Sequence, residues 1–238
     1  MRTLPSIEYK TLTVLMPVFN EQSTVKEIVD RCLRVELPLT IDLVIVDDGS
    51  SDETAKVLAA IADPKVRVLT HPHNKGKGAA LRTGLAAATG DLVIVQDADL
   101  EYNPEDWRAL LSPVLKGDAF VVYGNRFAGS GRNMSGLHRF GNRFLSIVTS
   151  VLYAKRLSDM ETCYKLFDRR VIEPITVVSD RFDFEPEITA KVLRQGYDIV
   201  EVPISYAGRE FHEGKKITWR DGFGALRALV RFRFSRSL

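Results

Sequence analysis

A chain of 238 residues with 45% hydrophobic and 27% charged side chains can bury one α/β core with a short appendage, and its composition excludes a disordered, collagenous or disulfide-stapled protein. No apolar run approaches the ~20 residues that span a bilayer, residues 1–10 lack the apolar stretch of a signal peptide, and two distant cysteines, Cys32 and Cys163, fit a reducing compartment. The formal charge of +2 hides an asymmetry: residues 1–106 carry 11 Lys/Arg against 17 Asp/Glu and residues 107–238 carry 22 against 14, so the second half suits an anionic partner.

Residues 12–16 read as a buried strand, and residues 21–34 as a helix that begins near Asn20 and Glu21. The next strand, 43–47, ends in Asp47-Asp48-Gly49-Ser50 and leads to a helix over 52–62. Strand 66–70 runs through the loop His73-Asn74-Lys75-Gly76 into an alanine-rich helix over 77–88. Strand 91–95 ends in Asp97-Ala98-Asp99-Leu100-Glu101, three carboxylates within five residues. A helix over 104–115 and a strand over 119–123 follow. Beyond them the pattern predicts helices over 139–153, 186–195 and 221–231, and a strand over 199–206. Apolar strands separated by helices predict an α/β fold with a mostly parallel central sheet and helices on both faces. Ligands of such sheets bind beyond the carboxyl ends of the strands. The polar clusters of the first half all stand at those ends, so they are expected on one rim.

Three crowded carboxylates repel one another, and a divalent cation among them relieves the repulsion. Oxygen ligands of this kind suit Mg²⁺ or Mn²⁺ completed by substrate phosphates. The competing reading is an acidic turn before a helix capped by Asn103 with Pro104 at its start. His71 and His73 lie in a His-Pro-His loop and read as loop residues, not as a metal site. Residues 119–157 hold six basic side chains (Arg126, Arg132, Arg139, Arg143, Lys155, Arg156) and no acidic one. The first strand lacks Gly-x-Gly-x-x-Gly, no Walker loop is present, and residues 14–21 lack the glycine-rich basic loop of a nucleotidyltransferase. Aromatic residues are too sparse among the basic ones for a nucleic-acid reader.

Six segments in order carry a family resemblance: residues 16–21 (Met-Pro-Val-Phe-Asn-Glu), Val46 to Asp52, Asn74-Lys75-Gly76-Lys77-Gly78, Asp97-Ala98-Asp99-Leu100, Gly124-Asn125-Arg126-Phe127, and Asp159-Met160-Glu161-Thr162, with Val202-Pro203-Ile204-Ser205-Tyr206 beyond them. In these the chain resembles the GT-A fold, family 2 glycosyltransferases, and among them the dolichyl-phosphate mannose synthase-like (polyprenyl-phosphate glycosyltransferase) group. The resemblance implies that Pro17, Asn20, Glu21 and Asp48 line the nucleotide pocket, Asp48 accepting from a base N–H, with Lys75, Ala98 and Lys216 also on the donor. It implies that Asp97 approaches the ribose or the metal and that Asp99 and Glu101 hold the cation. Arg126, Arg132 and Arg139 would meet the acceptor phosphate, Arg209 and Lys216 the diphosphate, and Asp159 the sugar or the acceptor. The chain departs from the family with Glu101 where Gln is frequent, Cys163 in place of Gly, and Lys165 in place of Arg. The segment from Glu213 to Gly222 resembles users of UDP-sugars, which are favoured here over GDP-mannose as the nucleotide-sugar donor.

The chemistry can be argued independently. Cleaving the anomeric bond of a sugar nucleotide releases a diphosphate whose charge calls for a metal and cationic donors. A lipid phosphate, with a second pKa of about 6, is already nucleophilic at neutral pH and needs no base. Attack opposite the leaving group predicts inversion. The alternative is a soluble or polysaccharide hydroxyl acceptor, with Asp159 or Glu161 as base. The apolar stripe at 140–152, flanked by basic residues, is read either as a membrane-interfacial helix or as core. These readings predict one catalytic domain over 1–220 (nucleotide-sugar half 1–125, acceptor half 126–220) and a basic amphipathic tail over 221–238. They place the protein in the cytoplasm, peripheral on a membrane, with an anionic surface or a small membrane protein as partner and no nucleic acid.

Overall fold

A computed structural model describes residues 4–5, 7–132, 136–209 and 219–235. Its first half alternates β1 (Thr11–Val18), α1 (Val25–Arg34), β2 (Thr40–Asp47), α2 (Thr54–Ala59), β3 (Val66–Thr70), α3 (Lys77–Ala87) and β4 (Leu92–Val95). A 3-10 turn (Pro104–Asp106) leads into α4 (Trp107–Leu115) and β5 (Val121–Asn125). Then come β6 (Gly131–Arg132), α5 (Gly136–Tyr153), β7 (Lys165–Asp168), α6 (Arg169–Ile172), α7 (Phe184–Arg194), β8 (Val200–Pro203), β9 (Tyr206–Ala207) and α8 (Trp219–Phe234).

Seven strands form the central sheet in the order β3-β2-β1-β4-β7-β5-β8, and β6 pairs with β9 apart from it. Strands β1 to β4 are mutually parallel, as are β5 and β8. The residues of β4 and β5 are wholly buried, as expected of strands covered on both faces. Strands β2 and β3 extend the sheet to one side of β1 and β4 to the other, so the order of addition reverses between β1 and β4. Ligands of open α/β sheets bind in the crevice at such a reversal. Register places Val18 opposite Asp47 and Asp47 opposite Thr70. The polar ends of β1, β2 and β3 therefore share one edge.

The mostly parallel sheet expected from the sequence is present, with one strand unforeseen. Strand β7 lies antiparallel between β4 and β5, where the sequence reads as loop. It is four residues long and bounded by charged side chains, so it lacks an apolar run. Both charges are nonetheless buried and satisfied. Lys165 donates to the carbonyls of Met160 and Thr162, and Asp168 accepts from the Tyr9 hydroxyl and Arg170. The first helix begins at Val25, not at residue 21, because Asn20 adopts a left-handed conformation (φ 52°) and turns the chain first. The 221–231 helix is extended at both ends. It packs against α7, burying Leu229 and Phe232, and the Tyr153 hydroxyl of α5 donates to the Leu229 carbonyl.

Candidate active site

Three strand ends meet through side chain to backbone bonds. The Asn20 amide donates to Ser50 Oγ, and Asn20 Oδ1 accepts from the Ser51 amide at 2.8 Å. Buried Asp48 accepts the amides of Lys75 (2.9 Å, at Oδ1) and Gly76 (2.7 Å, at Oδ2). Its Oδ1 is also 2.6 Å from His71 Nδ1, and His71 Nε2 is 2.9 Å from Thr83 Oγ. A carboxylate only accepts, so the Nδ1 proton belongs to this bond. Oδ1 is doubly engaged while Oδ2 has one bond, which leaves Oδ2 able to take one more donor. Gly49 (φ 69°) and Gly76 (φ 101°) make the close loop contacts possible. A Cβ would lie 2.5 Å from the His73 carbonyl carbon in one case and 2.3 Å from the Asp180 carbonyl oxygen in the other. Pro17 lies in β1 opposite Val46, and the Lys75 side chain is exposed.

The acidic turn after β4 is held open by Leu100, whose φ of 63° is a strained value for a branched apolar residue. The turn sends its three carboxylates to different partners. Asp97 is 2.9 Å from Lys77 Nζ, which also sits 3.0 Å from Glu185. Burial pushes the Asp97 carboxyl up, but the charge and hydrogen bond of Lys77 win and hold it below the usual carboxylate range. Asp99 is 3.2 Å from the Arg209 guanidinium and accepts the Glu101 amide. Glu101 accepts from the Tyr206 hydroxyl and the Arg209 amide, both at 2.7 Å. The Arg209 guanidinium also reaches Glu21 at 3.1 Å and 3.2 Å, so it spans the crevice between the ends of β1 and β4. Ala98 is buried in the turn.

Asp99 is left over-crowded. Burial, then the charges of Asp97 and Glu101, push its carboxyl up to about 7 despite Arg209. An acidic turn with too little cationic compensation fits a divalent ion. The three carboxylates do not converge, however: among the described residues no group of three His, Cys, Asp or Glu side chains could hold a metal. The expected trio of Asp97, Asp99 and Glu101 is therefore not assembled, because Lys77 draws Asp97 aside and Tyr206 draws Glu101. What the turn can offer is one or two carboxylate oxygens centred on Asp99, the small protein share that Mg²⁺ takes beside substrate phosphates.

Arg126, expected at the acceptor phosphate, is engaged by a carboxylate. Its guanidinium forks onto Asp159 at 2.8 Å and 2.6 Å, and its own amide donates to the same carboxylate at 2.9 Å. Both residues are buried, and the guanidinium lies 5.3 Å from the Tyr206 ring centroid. The pair is extended by the Asp159 amide, which donates to Glu201. Arg139 is exposed, 5.9 Å over the Phe127 ring. Arg132 lies in β6. Lys215 and Lys216 lie outside the described residues. Sequence reasoning passed over Lys77 as an ion-pair partner, along with Glu185 and His71. Lys77 stood in the quoted Lys75-Gly76-Lys77-Gly78 run, two residues past the lysine assigned to the donor. Nothing in the sequence near Glu185 marks it as adjacent to Asp97.

Comparison with known proteins identifies the family and the fold. The family described as "Glycosyl transferase family 2" matches residues 13–176. The chain is 27% identical over 209 residues to an undecaprenyl-phosphate 4-deoxy-4-formamido-L-arabinose transferase of Proteus mirabilis (strain HI4320), covering 86% of this chain and 62% of that protein. It is 29% identical over 210 residues to the transferase of the same name from Sodalis glossinidius (strain morsitans), with 86% and 62% covered. The chain thus spans about 62% of the length of these curated relatives. Among solved structures, glucosyl-3-phosphoglycerate synthase from Mycobacterium tuberculosis in complex with UDP superposes with a TM-score of 0.73 at 19% identity, over 94% of this chain and 80% of that one. Its complex with Mn²⁺ and UDP-glucose gives 0.70 at 20% identity, over 94% and 79%. The shared fold is the GT-A fold.

Proposed function

Because the chain belongs to glycosyl transferase family 2, we propose that it moves a hexose from a nucleotide-diphosphate sugar to the phosphate of a polyprenyl lipid, with inversion at the anomeric carbon. The observation that carries the reading is the Glu21–Arg209–Asp99 bridge across the crevice between β1 and β4. It sets a cation and an acidic turn where a sheet of this topology binds its ligand. The named activities of the curated relatives support the lipid phosphate as acceptor.

Asp48 Oδ2 is the acceptor available to a base N–H, on a loop made rigid by His71. Asp99, with Asp97 or Glu101, would hold Mg²⁺ or Mn²⁺, which when bound neutralises charge on the departing diphosphate. Arg209 is placed to follow that charge: it leaves Asp99 for the diphosphate and keeps Glu21 as its anchor. UDP-sugars remain favoured over GDP-mannose. A hydroxyl acceptor would require a base; Asp159 is not free to serve, since Arg126 holds both of its oxygens, which leaves Glu161 as the base of that alternative. The division into a nucleotide-sugar half (1–125) and an acceptor half (126–220) remains part of this proposal.

A lipid acceptor requires contact with a bilayer, and α5 supports such contact. Its apolar stripe is divided: Val148 and Leu152 pack against the core, and the rest of the stripe does not. Phe140 and Val151 are 72% and 77% exposed, with Phe144 and Ile147 also in solvent, while Ser146 and Thr149 face inward. The inward hydroxyls are satisfied within the helix and its neighbours: Thr149 donates to the Leu145 carbonyl, and Ser146 Oγ accepts the Met160 amide. Phe223 and Phe234 of α8 are exposed as well, and Arg233 donates to the Leu152 carbonyl, joining the two helices. Arg139, Arg143, Arg227 and Arg231 are exposed on the same pair of helices. Apolar side chains flanked by arginines match an anionic membrane surface. Among the described residues no helix is long and apolar enough to cross a membrane.

The test is transfer of labelled glucose from UDP-glucose, with Mn²⁺, to undecaprenyl phosphate in phosphatidylglycerol vesicles. Labelled glycolipid is expected. Label passing only to soluble acceptors would overturn the reading. For the docking face, Phe144→Asp is expected to weaken co-sedimentation with the same vesicles by about tenfold or more, the transfer cost of one large apolar side chain. Turnover of a short, water-soluble prenyl phosphate should be unchanged. Equal sedimentation of variant and parent would place the membrane contact elsewhere.

A further inference from the structure

We propose that residues 176–180 form a strap that positions the nucleotide end of the donor site, and that Glu187, Lys191 and Arg82 are its positioning residues. The proposal rests on the donor reading above and extends it to side chains which that reading leaves unused. The strap lies between α6 and α7, has no regular secondary structure, and rests on the start of α3. Glu187 of α7 is wholly buried, and its carboxylate accepts two strap amides, Val178 at 2.9 Å and Ser179 at 2.7 Å. Lys191, one turn further along α7 and also buried, is 2.7 Å from Glu187 and donates to the Thr176 carbonyl at 2.5 Å. Other groups of the strap meet α3. The Asp180 carbonyl accepts the Ala79 amide at 3.1 Å. The Arg82 guanidinium is 2.7 Å from the Asp180 carboxylate and 3.5 Å from the Val177 and Ser179 carbonyls.

The approach is close enough to dictate sequence. A Cβ at Gly76 would lie 2.3 Å from the Asp180 carbonyl oxygen, and one at Gly78 would lie 2.3 Å from the Ser179 carbonyl oxygen. Both glycines are therefore required by the strap. Between them stands Lys77, which pairs with Asp97, and the Gly76 amide donates to Asp48. The strap thus fixes the one turn of chain that reaches both the base acceptor and the acidic turn. Stability does not account for the Glu187–Lys191 pair. A buried ion pair is often no more stabilising than apolar side chains of the same volume, and an ordinary i, i+4 pair needs no bonds outside its helix. Here three bonds leave the helix for the strap backbone. Apolar side chains could not make them, and they hold an irregular segment in one place. A site kept in its bound form loses less freedom when the ligand arrives.

The experiment measures calorimetric affinity for UDP with Mn²⁺ in the parent and three variants: Arg82→Ala, the charge swap Arg82→Asp with Asp180→Arg, and Glu187→Gln with Lys191→Met. Arg82 and Asp180 are a half-exposed pair, so changes there leave the fold intact, and the last variant removes both buried charges together. UDP affinity is expected to fall about threefold in Arg82→Ala and about tenfold in Glu187→Gln with Lys191→Met, while the swap restores it. With UDP-glucose and a short prenyl phosphate, the donor KM is expected to rise by the same factors at unchanged kcat, a split that general loss of folded protein would not give. Parent-level UDP affinity in Arg82→Ala and in the folded buried double variant would overturn the strap. So would a loss in Arg82→Ala that the swap leaves uncorrected. Should the buried double variant fail to fold, Arg82→Ala and its swap decide the matter. Failure of the parent to bind UDP would instead overturn the donor reading on which the strap's role stands.

Discussion

Asp159→Ala is expected to destabilise the fold by about 3–5 kcal/mol, the cost of leaving a buried charge without its partner. Arg126 and Asp159 share two side-chain hydrogen bonds, and a third comes from the Arg126 amide. Removing the carboxylate strands the guanidinium in a site where it cannot be hydrated. The damage would spread to the acidic turn, because the guanidinium lies over the Tyr206 ring and the Tyr206 hydroxyl holds Glu101. Urea unfolding measures the loss. A double variant, Arg126→Met with Asp159→Leu, is expected to recover most of it, since apolar replacements remove both charges together. Activity assays on the double variant then separate folding from function. A near-native midpoint for Asp159→Ala would mean that the pair is hydrated and that Arg126 is free for an anionic substrate after all.

Asp99→Asn is expected to do the reverse, raising stability while abolishing function. Loss of Mn²⁺-dependent donor binding, with a fall of about 100-fold or more in kcat/KM, is the expected kinetic result. Calorimetry with and without chelator reads the binding directly. Donor affinity unchanged by the substitution would remove Asp99 from the site. The stability gain follows from linkage. The Asp99 carboxyl sits at about 7 in the fold against 3.8 ordinarily, so the folded chain keeps a proton that the unfolded chain has released. That contribution is fully present below pH about 4 and is lost as pH rises through about 7. Glu161, also raised to about 7, adds to the same slope. Asparagine cannot lose a proton, so the variant's melting temperature should exceed the parent's by more at pH 8 than at pH 5. A strained, like-charged site that destabilises its own fold is what a cation-binding function requires.

Much of this architecture is legible in local sequence. Strand β3 is found at residues 66–70 as expected, and β4 ends in the acidic turn that its composition announces. The stripe on α5 shows where reading a sequence stops. Its 3.6-residue spacing identifies the helix, but the same spacing serves a core face or a surface face. Only packing shows that Phe140 and Val151 point to solvent while Ser146 and Thr149 point inward. Strand β7 was missed because four residues bounded by Lys165 and Asp168 carry no period. Their burial depends on partners supplied from Tyr9, Met160, Thr162 and Arg170.

Sequence by itself determined the element order of the first half, the mostly parallel sheet and the strand-end position of the polar clusters, because periodicity and turn chemistry act over a few neighbouring residues. It could nominate Glu21, Asp99 and Arg209 but not join them. Their contact bridges 188 positions and exists because β4 pairs with β1 on the side away from β2. The same holds for Arg126 with Asp159 and for Lys77 between Asp97 and Glu185. Tertiary structure decided which charges are neutralised and which are left in need of a ligand, since Coulomb energy depends on separation in space and on burial, neither of which is a property of distance along the chain.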